Sequence, residues 1–441
     1  MFFPFSFRPR HVPFILLLLA LVFPPLLGSA KETPPTPDAA PVTLDALVAE
    51  TLDKNPELNV YRAEINAARG ARTTAGAFPN PQLQTQTGSK RVREVSGAIT
   101  EGYVYSVSVQ QTFEYPSRLA LRKAIANRQT DLARLGLEQF RAALAARARL
   151  LGYTLLVGQE KAAAAQAVAD RAEELLAVLV QRDPAGITPL LETRVIEAGV
   201  LTARRRAITA TRELQSAAFE LNLLRGRPLQ TPVRVARGEL RFESLPGAEA
   251  LLAAARENNF ELRTRRVELA QQGFRVSLTK NERVPALTVA PYFSQENSGT
   301  REVRAGVNLA VPLPIFDQNQ GNVRTAEARR QQAEASYAVT QREVERKILE
   351  GSLAYAAQLA EIRRLRPDAA RQFEEAAALA DRNYRLGAIP VSTYIQVQDQ
   401  YLAALDAILD TQREALENRQ KLELLAGLNT PESRVRPEAA K

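Results

Sequence analysis

The acidic side chains are the residues of this sequence whose type could support chemistry, because two neighbouring carboxylates can act as general acid and base. The most obvious pairs are Glu173-Glu174 and Glu374-Glu375. Both pairs lie in segments whose composition predicts helix, and adjacent residues of a helix point in different directions. The pairs therefore indicate a solvated helical face rather than a catalytic centre.

The chain offers little else for catalysis or metal binding. Among its 441 residues it has no Cys and a single His, His11. A thiolate or imidazole metal site and a Ser-His-Asp triad are therefore excluded once the N-terminal segment that carries His11 is removed. We expect no enzymatic activity, no bound cofactor and no metal ligands. The net charge is +9, but basic and acidic residues are interspersed, which argues against nucleic-acid binding.

The first thirty residues have the features of an export signal. Two arginines precede an apolar run from Phe14 to Phe23, and the small residues Gly28-Ser29-Ala30 follow. The run is too short to span a bilayer, and two prolines end it, which disfavours the alternative of a membrane anchor or a buried helix. We predict a signal peptide over 1–30 and a flexible, Pro-rich leader over 31–42. No Cys follows the cleavage site, so we expect no lipid anchor.

The remainder contains two copies of one pattern. Gly186-Ile187-Thr188-Pro189 is followed 201 residues later by Gly387-Ala388-Ile389-Pro390. Leu223-Leu224-Arg225-Gly226 is followed by Leu424-Leu425-Ala426-Gly427 at the same offset. A constant offset indicates an internal repeat. We predict a first repeat over 43–237, a second repeat over 244–430 and a C-terminal tail over 431–441.

Each repeat has the same predicted order: helix, two strands, a very long helix, a tight turn and a long return helix. No proline occurs from Ser117 to Asp183, and a helix of that length would extend about 100 Å. Such a helix is not typical of a globular domain. We predict the tip turns at 184–189 and 386–391, and we expect Pro367 to kink or restart the second outgoing helix.

Between the helices, apolar and polar residues alternate with the period of a strand. We predict strands at about 82–96, 102–112, 286–296 and 302–312. One apolar and one polar face over about ten residues is typical of outer-membrane barrel strands, and two ordinary hairpins covering the helices are the alternative. Aromatic residues that could form interface girdles are Phe113, Tyr115, Tyr292, Phe293 and Phe316.

The number of strands has a consequence for assembly. Transmembrane barrels have at least about eight strands, and open strand edges are not tolerated in lipid. If these four strands lie in a membrane, the barrel must be shared between chains; two chains supply eight strands and three supply twelve. The sequence then predicts an obligate oligomer whose long helices extend the same tube.

Several motifs resemble the TolC-type outer-membrane efflux proteins, and the resemblance covers the mature region. The motifs are Asn55-Pro56-Glu57-Leu58, Ala75-Gly76-Ala77-Phe78-Pro79-Asn80-Pro81, Tyr384-Arg385-Leu386-Gly387 and the block from Val311 to Asn322. The block is most similar to the CzcC branch, which serves heavy-metal cation exporters. Where that branch has Gly-Gly-Lys-Arg after the second strand, this chain has Pro116-Ser117-Arg118.

The resemblance implies a mainly α fold with a small β part, in which two tandem repeats of long antiparallel helical hairpins each carry a β-hairpin. It implies a homotrimer with a shared outer-membrane barrel and an α-helical periplasmic tunnel. It also implies outer-membrane lipid around the barrel, a periplasmic adaptor (membrane fusion) protein at the helical tips and an inner-membrane RND-type pump. The expected function is a passive exit duct for heavy-metal cations. Drugs or a secreted polypeptide are the alternative cargo, and a periplasmic coiled-coil scaffold is the alternative class.

The resemblance also implies two sets of functional residues at the helical tips. Adaptor docking is expected to involve Arg182, Gly186, Arg385 and Gly387. In the family a carboxylate and a tyrosine hold the tunnel closed, and Glu192 and Tyr384 occupy those positions here. The alternative is that the glycines only allow the turns and that the other residues are merely exposed.

The segment between the fourth strand and the following helix is expected to form the corner between barrel and tunnel. Pro312, Pro314 and Gly321 carry this expectation, because proline fixes φ and cannot donate to a sheet. Asp317, Asn319 and Asn322 are expected to cap the helix that follows.

Overall fold

The computed structural model describes residues 40–428 except 94, 96, 183–189, 237–239, 241 and 367. The predicted signal peptide, most of the predicted leader, the predicted tail and the first tip turn with Gly186 lie outside the described residues. Arg182 is the last residue of its helix, and nothing is described of its side chain.

The described chain is mainly α-helical with a small sheet, and its element order repeats. The first repeat contains α1 Leu44–Lys54, α2 Glu57–Ala75, β1 Gln82–Arg93, β2 Ile99–Phe113, α3 Arg118–Arg182 and α4 Leu190–Leu224. The second contains α5 Ala248–Asn258, α6 Phe260–Asn281, β3 Leu287–Ser298, β4 Thr300–Ala310, α7 Gln320–Arg364, α8 Ala369–Arg385 and α9 Val391–Ala426. The interruption between α7 and α8 surrounds position 367, and α3 has no counterpart of that break.

The first helix pair of each repeat is broken at an asparagine that binds the end of the return helix. The Asn55 side chain donates to the Leu224 carbonyl at 2.9 Å, and Asn259 donates to the Leu425 carbonyl at 2.8 Å. Both asparagines are buried, at 5% and 4% exposure. The carbonyls at a helix C-terminus lack partners within the helix. Each asparagine therefore supplies a missing partner at the same place in both repeats.

The four strands form one antiparallel sheet in the order β1-β2-β3-β4, with the two repeats joined between β2 and β3. The register pairs Tyr105 with Thr87 on one side and with Gln295 on the other, and Gln295 with Val303. Paired residues are either both odd-numbered or both even-numbered. All odd-numbered strand residues therefore share one face of the sheet, the odd face, and all even-numbered ones share the other, the even face.

The two faces differ in chemistry. The odd face carries exposed apolar side chains, among them Leu83, Tyr103, Val107, Val109, Phe113, Phe293, Val303, Val307 and Leu309. The even face carries mostly Gln, Ser, Thr, Asn and charged residues. Phe293 is in register with Val107, in the middle of the sheet, and the Tyr292 ring lies over Gly306 on the even face. The expectation of end girdles at these two residues is therefore wrong, because the register places both rings in mid-strand.

Neither outer strand has a partner on its second side within the described residues. The sheet order leaves one edge of β1 and one edge of β4 unpaired. With an even number of antiparallel strands, β1 and β4 run in opposite directions. A further copy of β4 could therefore pair with β1 in the same antiparallel sense as the rest of the sheet.

The 65-residue helix α3 connects the packing of both repeats. At one level its Leu151 and Leu155 pack with α1 and α4 around Leu47 and Leu221. At another level its Val157 and Val168 pack with α9, whose Leu402, Leu405 and Leu409 are buried at helical spacing. Within the described ranges, none of the helices combines the length and the apolarity that a bilayer span requires.

Candidate functional site

The second tip turn borders a cavity of about 630 Å³ between α3, α4, α8 and α9. Leu175, Leu179, Glu192, Tyr384, Arg385, Gly387, Pro390 and Val391 are among its lining residues. The structure thus brings together four of the residues predicted at the tips: Glu192, Tyr384, Arg385 and Gly387. Gly186 and the side chain of Arg182 lie outside the part of the chain that the structure describes.

Gly387 ends α8 with a left-handed backbone, at φ 75°. The Gly387 N–H donates to the Tyr384 carbonyl at 2.9 Å, and the Ala388 N–H donates to the Asn383 carbonyl at 2.8 Å. This pair of bonds is a Schellman motif, which favours glycine at the left-handed position. A Cβ added there would meet nothing within 4 Å. The backbone conformation, and not a lack of space, therefore requires glycine.

Arg385 is held by acidic residues of two helices. Its Nε donates to Asp381 at 2.9 Å, and its guanidinium lies 3.6 Å from Glu174 of α3. The hydrogen bond that Arg385 donates to Asp381 raises the pKa of Arg385, so the side chain stays charged. The next residue, Leu386, is apolar and 76% exposed at the tip.

Tyr384 and Glu192 face the same cavity but are not hydrogen-bonded to each other in the described structure. Burial and the negative charge of Glu192 raise the pKa of Tyr384. The Tyr384 ring stacks on Tyr394, with centroids 5.4 Å apart. Tyr394 is 2% exposed, and its hydroxyl has no hydrogen-bond partner in the described structure. Burial, together with the charge of Asp381, raises the pKa of Tyr394 to about 12.

The segment between β4 and α7 contains the residues predicted at the corner. Pro312, Pro314 and Asn319 line a cleft with Arg118 and Arg283. Asn319 occupies the N-cap position of α7, but its backbone is left-handed, at φ 59°, and its side chain makes no capping bond. The side chain instead donates to the Thr279 carbonyl of α6 at 2.9 Å. The predicted side-chain cap is therefore wrong at Asn319, because that side chain fastens the loop to α6.

Gly321 lies in the first turn of α7. A Cβ added there would meet nothing within 4 Å. Its φ is not among the positive values of the chain. Neither space nor backbone conformation within the described chain requires glycine here, and its role at the corner stays a prediction.

The arginine at the start of α3 is a positioning residue that sequence reasoning missed. Arg118 donates to the Asn281 side chain at 3.1 Å, to the Asn281 carbonyl at 3.2 Å and to the Val284 carbonyl at 2.8 Å. It thereby joins the β2–α3 connection to the α6–β3 connection. The preceding residue, Ser117, has a left-handed backbone with φ 74°. The available signal was the departure from the related sequences, because Pro116-Ser117-Arg118 stands where they have Gly-Gly-Lys-Arg.

The charged strand residues all lie near the hairpin ends of the sheet. On the even face, Lys90 pairs with Glu296, which also lies 3.5 Å from Arg304, and Arg304 lies 3.0 Å from Glu302. This network balances two cations with two carboxylates. Over the described part of the chain, no group of three or more His, Cys, Asp or Glu side chains is arranged to hold a metal ion.

The fold and these features define a class of protein. Residues 47–227 and 251–428, one segment in each repeat, match the outer membrane efflux protein family. The chain belongs to this family, and the protein is an outer-membrane efflux channel of the TolC type.

Individual relatives refine the comparison. The chain is 27% identical over 323 residues to the cobalt-zinc-cadmium resistance protein CzcC of Cupriavidus metallidurans, covering 72% of this chain and 74% of that protein. The CusC structure has the same fold, with 14% identity, a TM-score of 0.69 and coverage of 87% and 92% of the two chains. The open MtrE channel of Neisseria gonorrhoeae has 18% identity, a TM-score of 0.67 and coverage of 87% and 88%.

Proposed function

We propose that the chain is one subunit of a homotrimeric outer-membrane duct for heavy-metal cations. An inner-membrane RND-type pump drives export, and a periplasmic adaptor connects the pump to the duct. The duct itself is passive: it performs no catalysis and holds no cofactor. The similarity to CzcC, a cobalt-zinc-cadmium resistance protein, supports the choice of cargo.

The observation that carries the proposal is the open sheet. An apolar face beside two unpaired edges is unstable in water and in lipid, because edge N–H and C=O groups need partners. Pairing of β4 with β1 of the next copy satisfies both edges and preserves the antiparallel order. Three copies then supply twelve strands, which exceeds the minimum of about eight for a transmembrane barrel.

The even face supports the role of a water-filled duct. If the odd face lies against lipid, side chains such as Gln84, Ser106 and Ser108 line the interior. Neutral amides and hydroxyls can replace part of the water around a cation without holding it tightly. Weak binding favours transport, since a cargo must leave as readily as it enters.

The tip supports docking of the adaptor. Gly387 presents an open turn, Leu386 is an exposed apolar side chain and Arg385 is a fixed charge. An apolar residue next to a charged one suits a small, specific interface. We assign Arg182 and Gly186 to the same role by their positions in the first repeat.

We propose that a hydrogen bond between Glu192 and Tyr384, which the described structure does not contain, forms part of the closed gate. The two residues share a cavity, and the charge of Glu192 already acts on the Tyr384 hydroxyl. In the closed state the Tyr384 hydroxyl would donate to the Glu192 carboxylate. Such a charge-assisted bond contributes about 1.5–3 kcal/mol.

Tyr384→Phe and Glu192→Gln should each increase conductance in a planar bilayer, with Thr393→Val as the control. Unchanged conductance in both variants would exclude these residues from the gate.

Growth of a deletion strain tests the cargo. We expect selective sensitivity to divalent cations, restored by the intact gene. Selective sensitivity to drugs and detergents would retain the channel but reject the metal cargo. Failure to recover a heat-modifiable trimer from the outer membrane would contradict the proposed homotrimer.

A further inference from the structure

The odd face of the sheet carries charge only at its hairpin end. Its charged residues within the described strands are Arg91, Arg93, Glu101 and Arg301. All four are exposed. Three cations therefore face one carboxylate, whereas the even face at the same end has a balanced network. The excess of positive charge is confined to the face that we propose to contact lipid.

The position of these arginines relative to the apolar band of the barrel follows from the register of the strands. Phe113 and Tyr103 lie on the odd face at 54% and 78% exposure and are ten residues apart in β2. Ten residues extend about 33 Å along a strand, and a tilt of about 40° reduces this to about 25 Å of height, the thickness of the apolar band of such barrels. The two aromatic residues thus mark the two boundaries of the apolar band.

The arginines lie at and beyond the Tyr103 boundary. Asn297 pairs with both Tyr103 and Arg301, so Arg301 is level with the tyrosine. Arg91 pairs with Glu101, two residues beyond Tyr103, and Arg93 pairs with Ile99, four residues beyond. Arg91 also contacts Glu101 at 2.9 Å, with both side chains about two-thirds exposed. The three guanidinium groups therefore occupy the layer of the lipid head groups.

Assembly would bring these arginines together. Arg91 and Arg93 lie on the edge strand β1, and Arg301 lies on the opposite edge strand β4. When β4 of one copy pairs with β1 of the next, the three arginines occupy neighbouring strands at every junction between subunits. A planar guanidinium binds phosphate oxygens through two parallel hydrogen bonds, which makes arginine the preferred phosphate ligand.

We propose that Arg91, Arg93 and Arg301 form a binding surface for the phosphate groups of outer-leaflet lipid, located at the junctions between subunits. This inference rests on the proposed trimeric channel. The lipid phosphates neutralise the excess positive charge and link adjacent subunits at the membrane surface.

The test uses the full-length trimer, purified from outer membranes in a mild detergent. Binding of bisphosphorylated lipid A is measured by native mass spectrometry and compared with that of monophosphorylated lipid A. Changing all three arginines to Gln should weaken binding of the bisphosphorylated form by at least about fivefold. This is the factor expected for the loss of a single cation near an anionic surface, so it is a lower bound for the loss of three. Changing all three to Lys should restore part of the binding.

Arg304→Gln provides the matched control, because Arg304 is three residues from Arg301 in the same strand but lies on the even face. Equal binding by the wild type and the triple Gln variant would overturn the inference. So would an equal loss in Arg304→Gln, or displacement of the lipid by inorganic phosphate alone. If the wild type yields no oligomer before lipid is added, the proposed function itself fails, and this outcome is visible without any lipid measurement.

Discussion

The Asn55 side chain spans the break between α1 and α2: its amide donates to the Leu224 carbonyl, and its carbonyl oxygen accepts from the Glu57 N–H at 2.9 Å. One buried side chain thus completes the end of α4 and the start of α2. Asn259 does the same in the second repeat, accepting from the Leu262 N–H at 3.0 Å. The duplication has preserved this hydrogen-bonding arrangement.

Asn55→Ala should therefore lower the stability of the helical region by about 1–3 kcal/mol, because it leaves a buried carbonyl without a partner. The measurement is the thermal midpoint of the helical circular dichroism signal in detergent. Asn59→Ala removes an exposed asparagine in the first turn of α2 and should change stability by less than about 0.5 kcal/mol. Similar effects of the two variants would refute this role of Asn55.

Ser117→Gly should stabilise the protein by about 0.5–1 kcal/mol. Ser117 adopts a left-handed backbone at φ 74°, and glycine alone reaches that region without steric cost. Chemical unfolding of the two proteins checks the sign. Ser277→Gly, in the exposed face of α6, should have the opposite effect, because glycine is unfavourable within a helix. Destabilisation by both changes would contradict the assignment.

Stability should fall in acid because of Glu50. Burial alone would raise the pKa of Glu50, but hydrogen bonds from Arg225, Lys54 and Arg227 lower it to about 2. Because its pKa is lower in the folded state, Glu50 contributes fully to the free energy of unfolding above the unfolded pKa of about 4.5. This contribution disappears as the pH falls towards 2. We expect a loss of about 1–2 kcal/mol after allowance for solvent screening.

Glu50→Gln tests that pH dependence. The variant should be less stable than the wild type at pH 7, and the difference should shrink between pH 4.5 and pH 2. Unfolding midpoints at several pH values provide the comparison. A difference that stays constant over this range would mean that another group causes the acid sensitivity.

Gly387→Asn should reduce metal resistance and adaptor binding although the turn still forms. Asparagine tolerates the left-handed backbone better than other residues with side chains, and the space around Gly387 is open. Gly387→Val should also strain the turn, by about 1–2 kcal/mol. Gly273→Asn adds the same side chain on α6, away from the tip, and should leave resistance unchanged. Full resistance in Gly387→Asn with loss only in Gly387→Val would limit Gly387 to a structural role.

The sequence predicted the features that depend on local periodicity. The alternation of Tyr103, Tyr105, Val107 and Val109 predicted the apolar face of β2, and the absence of proline predicted the length of α3. The contacts at the ends of elements were not predictable in this way. Asn319 fails as a cap, and Arg118 acts as a link, because each side chain bonds to α6 or the segment after it, which only the tertiary fold brings near. Phe293 was misplaced for the same reason, since pairing with β2 sets its height.

The two unpaired edges of the sheet have a further consequence, for the synthesis of the protein. If the chain reaches the periplasm alone, as the proposed assembly implies, it exposes there the apolar face and both outer edges of the described sheet, a combination that favours aggregation. In the proposed trimer these edges become paired only when chains meet, so the assembly rate should rise faster than linearly with chain concentration. Proteolysis of single chains rises only linearly. Weak expression should therefore waste a larger fraction of the chains than strong expression, and the yield of channels should depend steeply on gene dosage.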